Sequence, residues 1–331
     1  MTKIKPFSII ALMTAAISIS ALLTSAAVHD GKGTGKEKWE GKNTPTLISN
    51  TPPSVPQSAM FAGEEIDLTP QDRRERMDRE MLSFCYSHIN TMLQIKRANR
   101  LFPIVEPILK ECGIPDDFKY LMIIECNGDV EARSSAGAAG PWQFLERTGR
   151  EYGLEVGGEV DERYNLEKAT RAACRYLHAS YEEYGDWLTV AASYNTGRAN
   201  VTKRINAQKE NKAIDLVLLP ETSRYIFRLM AIKEIFNNPQ SYGFILRASD
   251  LYPIIPTAEE FTVEGAVTSW ADIAKKHGLT YLQLHEANPW IRSTSMLNKA
   301  GKRYKVKVPD TEALKYDPSK TQAHDSRWVV D

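Results

Sequence analysis

The sequence predicts a mainly α protein with a helical domain over residues 69–245 and a small β-α-α-β domain over residues 258–310. Apolar side chains recur at helical spacing from the start of the first region, as at Met77 and Met81. No stretch of that region alternates polar and apolar residues as a half-buried strand does. Residues 303–308 do alternate in this way, which predicts the closing strand of the second domain.

The chain begins with the features of an export signal. Lys3 and Lys5 precede an uncharged run, residues 6–28, which has small side chains up to Ala27. This pattern predicts a signal peptide over residues 1–27 and a protein exported to the periplasm or cell envelope. The run is also long enough to span a bilayer, so an uncleaved inner-membrane anchor is the alternative.

Two further segments lack a periodic apolar pattern. Residues 28–68 are rich in Gly, Lys, Thr, Pro and Ser, which predicts a flexible linker. Residues 311–331 are mostly polar and predict a tail, with Trp328 and the two valines after it as the apolar exception.

Composition excludes one class of partner and leaves others open. The 42 basic and 42 acidic side chains balance, so no global positive field points to nucleic acid. The 6 histidines are scattered and no cluster has metal-ligand spacing, so we expect neither a metal nor an organic cofactor. The sequence does not indicate an oligomeric state. Export permits disulfides, and all pairings stay open for Cys85, Cys112, Cys126 and Cys174.

The larger domain is predicted to contain several helices. The first begins at Thr69 and Pro70, since proline is favoured in a first helical turn. The others are predicted over residues 102–111, 116–126, 166–184, 187–195 and 221–236.

The smaller domain is predicted from four short elements. Gly278 marks the end of its first helix. Its strands are predicted at residues 260–263 and 303–308, and its helices at residues 269–277 and 281–287.

One carboxylate in the larger domain stands on an apolar helix face. Asp116 follows a proline and is a natural N-cap. Phe118, Leu121, Met122 and Glu125 then fall at i, i+3, i+4 and i+7, on one face of the helix. Burial there disfavours the charged carboxylate and raises its pKa, which suits a general acid near neutral pH. The alternative is a solvated Glu125 at the helix end.

Two segments downstream have compositions suited to a binding cleft. Residues 134–143 combine small residues with Trp142, which either stacks on a sugar ring or fills the core. Residues 191–197 end a helix with the tyrosine and amide side chains of Tyr194 and Asn195. Each signal is weak when taken alone.

Together these segments resemble the lytic transglycosylase domain shared with soluble lytic murein transglycosylases. The resemblance is carried by Glu125-Cys126, by residues 132–138, by Gly140-Pro141-Trp142-Gln143 and by Ser193-Tyr194-Asn195. It covers about residues 76–240, and the stretch before residue 121 is most similar to the membrane-bound transglycosylase D branch.

The resemblance implies a lysozyme-like helical fold and a single catalytic carboxylate, here Glu125. Such an enzyme cleaves peptidoglycan glycan strands between N-acetylmuramic acid and N-acetylglucosamine and leaves a 1,6-anhydro sugar. The matching positions imply that Ser134, Gln143, Tyr194 and Asn195 shape the cleft and bind substrate.

The segment also departs from the family pattern near the catalytic residue. Cys126 replaces the usual serine after the glutamate, and Gly128 replaces a usual apolar residue. A thiol is a weaker hydrogen-bonding group than a hydroxyl, so the positioning of Glu125 or of substrate could differ.

The smaller domain resembles LysM, a peptidoglycan-binding module. The similar features are Phe261-Thr-Val, residues 273–278, the segment up to Asn288-Pro289, and Lys305-Val-Lys-Val-Pro. The resemblance implies binding of N-acetylglucosamine-containing chains, which agrees with the substrate implied for the larger domain. A degenerate module that merely packs against the enzyme is the alternative.

Two other functions remain open on sequence grounds. A lysozyme-type hydrolase needs a second acid, for which Asp129, Glu131 and Asp161 are candidates in polar surroundings. A non-catalytic wall-binding scaffold does not need Glu125 and Tyr194, both of which are present.

Overall fold

The structure, a computed structural model, describes residues 51–331. The predicted signal peptide, residues 1–27, and the first part of the predicted linker, residues 28–50, lie outside this range. Across the described residues, no helix combines the length and the apolar character needed to cross a membrane.

A helical body precedes a smaller C-terminal module. The body has a two-stranded hairpin followed by eight α-helices: β1 (Ser58–Phe61), β2 (Glu64–Asp67), α1 (Gln71–Tyr86), α2 (His88–Glu111), α3 (Phe118–Cys126), α4 (Glu146–Glu151), α5 (Leu166–Tyr184), α6 (Trp187–Thr196), α7 (Arg198–Gln208) and α8 (Pro220–Asn237). The mainly helical class predicted from periodicity is confirmed.

The short helix α3 lies in the centre of the helical body. It packs between α2 and α8, and its Phe118, Leu121 and Met122 are fully buried. Seven of its nine residues are buried, so burial of a continuous apolar surface stabilises this helix more than propensity does.

The first two helices divide at a position that the sequence does not mark. The predicted first helix ends at Tyr86, and α2 then runs from His88 through Pro103 and Pro107. The break is closed by the Thr91 hydroxyl, which donates to the Phe84 carbonyl at 2.7 Å. No glycine or proline marks this break, and apolar residues continue at helical spacing across it, so periodicity does not predict it.

Part of the predicted linker is instead folded. Strands β1 and β2 pair antiparallel, and Phe61 and Leu68 are buried in the core of the helical body. The backbone amide of Ala62 donates to Asp117 Oδ2 at 2.6 Å. The linker prediction is therefore wrong for residues 51–68, because four alternating apolar side chains give too weak a pattern to stand out.

The start of α3 also differs from the prediction. Asp116 does not cap the helix but pairs with Lys119 at 2.6 Å, and no side chain caps the N-terminus. Asp117 accepts hydrogen bonds from Ala62 and from Lys233 Nζ, at 2.6 and 2.7 Å. A local ion pair thus engages Asp116, and long-range partners engage Asp117, in place of a helix cap.

The C-terminal module contains the predicted strand, two helices and closing strand in that order. The elements are β3 (Thr257–Val263), α9 (Trp270–Lys276), α10 (Tyr281–Ala287) and β4 (Tyr304–Pro309). Strands β3 and β4 pair antiparallel. Trp270, Leu284 and Val306 are fully buried in a second core, separate from that of the helical body, to which the body contributes Val160.

The end of the chain returns to the helical body. Trp328 is 2 % exposed, packs edge-on to Phe102 and Phe236, and donates its indole N–H to the Phe236 carbonyl at 3.0 Å. The tail predicted for residues 311–331 is thus wrong at its end, where the apolar exception fills a core position.

We expect Trp328→Ala to lower the free energy of unfolding by about 3–5 kcal/mol, since it leaves a large cavity and an unpaired Phe236 carbonyl. Tyr316→Ala is the matched control, because Tyr316 is 81 % exposed in the same segment, and its effect should stay within about 0.5 kcal/mol. Urea denaturation measures both. Equal effects of the two substitutions would contradict the packing of this segment.

Candidate active site

Glu125 lies in the last turn of α3, where the helix leaves the core. The next residue but one, Asn127, has a left-handed backbone that ends the helix. The carboxylate is half-buried, and this burial raises its pKa from 4.5 to about 7. The raised pKa predicted from the apolar helix face is present, and it allows both protonation states near neutral pH.

A tyrosine from α8 is bonded directly to this carboxylate. Tyr225 donates its hydroxyl hydrogen to Glu125 Oε1 at 2.5 Å. The bond favours the charged carboxylate and lowers the pKa of Glu125, but by less than burial raises it. Burial also raises the pKa of Tyr225 well above 10, so the phenol stays protonated and remains a donor.

Two charged residues of α8 influence the same carboxylate at longer range. The positive charge of Arg228 lowers the pKa of Glu125, and the negative charge of Glu221 raises it. Glu221, Tyr225 and Arg228 are spaced i, i+4 and i+7, so one face of α8 is turned toward Glu125.

Tyr194 lies beside this pair without bonding to Glu125. Its hydroxyl donates to the Trp142 carbonyl at 2.6 Å, and its pKa is raised by burial and by the charge of Glu125. Trp142 is fully buried and donates its indole N–H to Thr170 at 2.9 Å. Of the two interpretations left open, Trp142 therefore fills the core and supports Tyr194 from behind.

A loop formed by residues 129–144, the cleft loop, carries two of the predicted binding residues. Ser134 Oγ accepts from the Ala138 amide at 3.0 Å, which closes a tight turn. Gln143 has a positive φ of 47° and donates its side-chain amide to the Ala132 and Gly140 carbonyls at 2.9 and 2.8 Å. The nitrogen of Gln143 is thus engaged, and its oxygen remains to accept a hydrogen bond.

A buried ion pair lies behind the cleft loop. Asp161 and Arg163 are 5 % and 6 % exposed and form a two-pronged pair, with 2.6 Å at its shortest contact. Arg163 also donates to the Gly137 and Phe144 carbonyls at 3.0 and 3.1 Å. A Cβ on Gly140 would lie 1.8 Å from the Arg163 carbonyl oxygen, so glycine is required at this contact.

Asn195 joins two elements of the site. Its Oδ1 accepts from the Thr222 hydroxyl at 2.8 Å, which ties the end of α6 to the start of α8. Among the predicted site residues, Tyr194 interacts electrostatically with Glu125. Ser134, Gln143 and Asn195 have structural bonds of their own around the site.

Cys126, which replaces the usual serine, makes an internal bond of α3. Its thiol is buried and donates to the Met122 carbonyl, four residues earlier, at 3.1 Å. Burial raises the pKa of Cys126 to about 12, so it remains a neutral thiol. All four cysteines of the chain are free thiols.

The three other carboxylates considered from sequence are engaged elsewhere. Asp161 belongs to the buried pair, Asp129 accepts from the Glu131 amide at 2.9 Å, and Glu131 pairs with Arg292 at 2.8 Å.

The sequence patterns did not identify Glu221 and Tyr225 because they come from a helix about a hundred residues after α3. In that helix, the polar i, i+4 spacing was a usable signal. Within the described residues no cluster of His, Cys, Asp and Glu has the makings of a metal site.

Comparison with known proteins agrees with the motifs. Residues 108–217 match the transglycosylase SLT domain, and residues 259–312 match the soluble lytic transglycosylase C-terminal LysM-like domain. The family resemblance predicted from the motifs is thus confirmed.

Two curated relatives have the same description. The chain is 30 % identical over 266 residues to the membrane-bound lytic murein transglycosylase D of Escherichia coli strain K12. This match covers 76 % of this chain and 56 % of that protein. The protein so named from Escherichia coli O6:H1 strain CFT073 matches to the same extent. The chain therefore spans about half the length of the curated relatives it matches.

We expect Tyr225→Phe to move the pKa of Glu125 further above about 7, because the variant loses the hydrogen bond that favours the carboxylate. Titration of the carboxyl carbons by ¹³C NMR measures this, with Glu125→Gln to assign the resonance. Tyr194→Phe removes a hydroxyl that bonds elsewhere and is the matched control. A larger rise in Tyr194→Phe than in Tyr225→Phe would contradict the assignment.

The raised pKa of Glu125 also predicts that ionisation of this carboxyl group destabilises the folded protein. The native state holds the proton more tightly than the unfolded chain does, so the free energy of unfolding falls as pH rises from about 4.5 to about 7. Glu125→Gln lacks this titration and should be on the order of 2–3 kcal/mol more stable than the wild type at pH 8. This advantage should vanish near pH 4.5. Urea denaturation at both pH values is the measurement, and a difference independent of pH would count against it.

Proposed function

We propose that the chain is a lytic transglycosylase of the transglycosylase SLT family and that it cleaves peptidoglycan glycan strands. The bond cleaved is the β-1,4 bond between N-acetylmuramic acid and N-acetylglucosamine, and the product carries a 1,6-anhydromuramoyl end. Glu125 is the single acid and base of this reaction.

The state of Glu125 is the observation that carries the proposal. A carboxylic acid with a pKa of about 7 is protonated often enough at neutral pH to act as an acid, and its conjugate base is still basic enough to take a proton back. Tyr225 holds one oxygen, Oε1, in place at 2.5 Å, which leaves Oε2 for proton transfer.

The reaction needs two proton transfers at the same residue. Glu125 first gives its proton to the glycosidic oxygen as the bond from C1 to that oxygen breaks. The resulting carboxylate then takes the proton of the muramoyl 6-hydroxyl, whose oxygen closes on C1. Glu125 ends protonated as it began, and no water is consumed, so a second carboxylate is not required.

The surroundings of Glu125 favour this scheme over the two-acid scheme of hydrolases. Asp129, Glu131 and Asp161 have bonds of their own, as described above. The negative charge of Glu221 raises the pKa of Glu125, and Glu221 lies exposed in the first turn of α8. Glu221 is therefore the residue on which the hydrolase alternative has to depend.

The other assignments rest on the family matches and on the N-terminal sequence pattern. Ser134, Gln143, Tyr194 and Asn195 bind the glycan strand around the bond to be cleaved, and the C-terminal module binds the wall polymer. The protein acts in the periplasm or cell envelope, after export directed by residues 1–27 or while anchored by them.

The test is mass spectrometry of muropeptides released from purified sacculi. We expect products about 18 Da lighter than hydrolytic ones, since the anhydro ring is one water short. Glu125→Gln should lower the rate at least about 10³-fold, because it can neither give nor take a proton.

Glu221→Gln is the matched control, because it removes a neighbouring carboxylate. The transglycosylase scheme predicts that the rate of this variant stays within a few-fold of the wild-type rate. Reducing-end products together with an inactive Glu221→Gln variant would establish the hydrolase instead. Sacculus binding without any product would favour the scaffold.

A further inference from the structure

We propose that the C-terminal module positions the cleft loop of the helical body, through Arg292 and the backbone bridge at residues 159–161. This inference rests on the proposed function for its kinetic consequences. It assigns to the module a part in the cleavage site itself, in addition to any binding of the wall.

Arg292 makes the first connection, at the start of the cleft loop. Its guanidinium lies 4.1 Å from the centre of the Tyr164 ring and donates to Glu131 Oε1 at 2.8 Å. A third contact, to the Pro289 carbonyl at 3.0 Å, fixes the guanidinium within its own module. Glu131 lies six residues after Glu125, in the segment by which the chain leaves the catalytic helix.

The backbone bridge makes the second connection. Val160 pairs with Ile291, the Arg292 amide donates to the Glu159 carbonyl, and the Asp161 amide donates to the Trp290 carbonyl, both at 2.9 Å. Val160 is 3 % exposed and belongs to the core of the module. The bridge therefore cannot move without disturbing that core.

The bridge leads to the far side of the cleft loop through the buried ion pair. Asp161 is both the last residue of the bridge and the partner of Arg163. Arg163 in turn bonds the Gly137 and Phe144 carbonyls of the cleft loop. The module thus supports the loop from both ends, near Glu131 and near Gln143.

A loop that is supported in this way is preorganised for ligand, which lowers the ordering cost of binding. The chemical step depends on Glu125 and Tyr225, which the module does not contact in any described bond. Loss of the support is therefore expected to raise KM and to leave kcat nearly unchanged.

The experiment compares full-length variants on soluble glycan strands. Arg292→Ala and Glu131→Ala should each raise KM about 10-fold with kcat within about 2-fold, and the double variant should be no worse than either. Arg292→Lys keeps the charge but loses the planar stacking, so its KM should lie between those of the wild type and Arg292→Ala. Arg303→Ala is the matched control, since its ion pair with Glu264 at 2.8 Å stays within the module.

Hydrogen exchange of the same variants separates this proposal from the proposed function. Peptides of the cleft loop should exchange faster in Arg292→Ala and Glu131→Ala, while those of α3 should not change. If the wild type releases no anhydro product, the proposed function fails, and the exchange data alone decide whether the module supports the loop.

Three results would overturn the proposal. One is unchanged KM in both single variants of an active enzyme, and another is unchanged exchange of the cleft loop. The third is additive effects of the two substitutions with loss of sacculus pelleting in Arg292→Ala alone, which would mean that Arg292 binds glycan directly.

Discussion

A carboxylate at the end of an apolar helix has to stay partly out of water without a cation bonded to it, and the rest of the site satisfies this constraint. A direct ion pair would hold the pKa of Glu125 low and leave it ionised at neutral pH. The direct partner is instead the neutral hydroxyl of Tyr225. Arg228 acts on Glu125 through its charge at longer range, and Glu221 opposes it. The pKa of Glu125 is raised overall because the effect of burial is larger than those of the Tyr225 hydrogen bond and the Arg228 charge.

Local sequence determined what could be predicted of this site. The spacing of Phe118, Leu121, Met122 and Glu125 is a property of one helix, so it was enough to place the carboxylate on an apolar face. The partner of that carboxylate is not local, since Tyr225 is 100 residues away. Local patterns do not reveal which face of α8 meets α3, so the polar i, i+4 spacing in α8 did not by itself identify Tyr225 as the partner of Glu125.

The same limit explains the errors in the fold. Phe61 and Trp328 lie in segments that were predicted to be a linker and a tail, because each is a large apolar residue within a polar stretch. Their burial depends on surfaces supplied by Phe118, Phe102 and Phe236 from other elements. Periodic patterns identify helices that bury a whole face. They do not identify short segments that are held by a few apolar side chains.

The departures from the family pattern near Glu125 are matched by their surroundings. A Cβ on Gly128 would lie 2.8 Å from Cβ of Arg97, and Gly128 has a φ of 70°. Arg97 occupies the space that a larger residue would need and donates to the Asn127 carbonyl at 2.8 Å. The end of α3 is thus fixed by an arginine from α2. The serine that usually follows the glutamate is also dispensable as a support, since Cys126 bonds back into its own helix.

The residues proposed to bind substrate also make structural bonds within the protein. Ser134, Gln143 and Asn195 each give one polar group to the protein itself. A left-handed residue such as Gln143 costs on the order of 1 kcal/mol, and two backbone carbonyls hold it there. Because its nitrogen is fixed, its free oxygen has a defined direction before any substrate arrives. Under the proposed function, rigid support of this kind favours one geometry of the hydrogen-bond donor on the glycan over others.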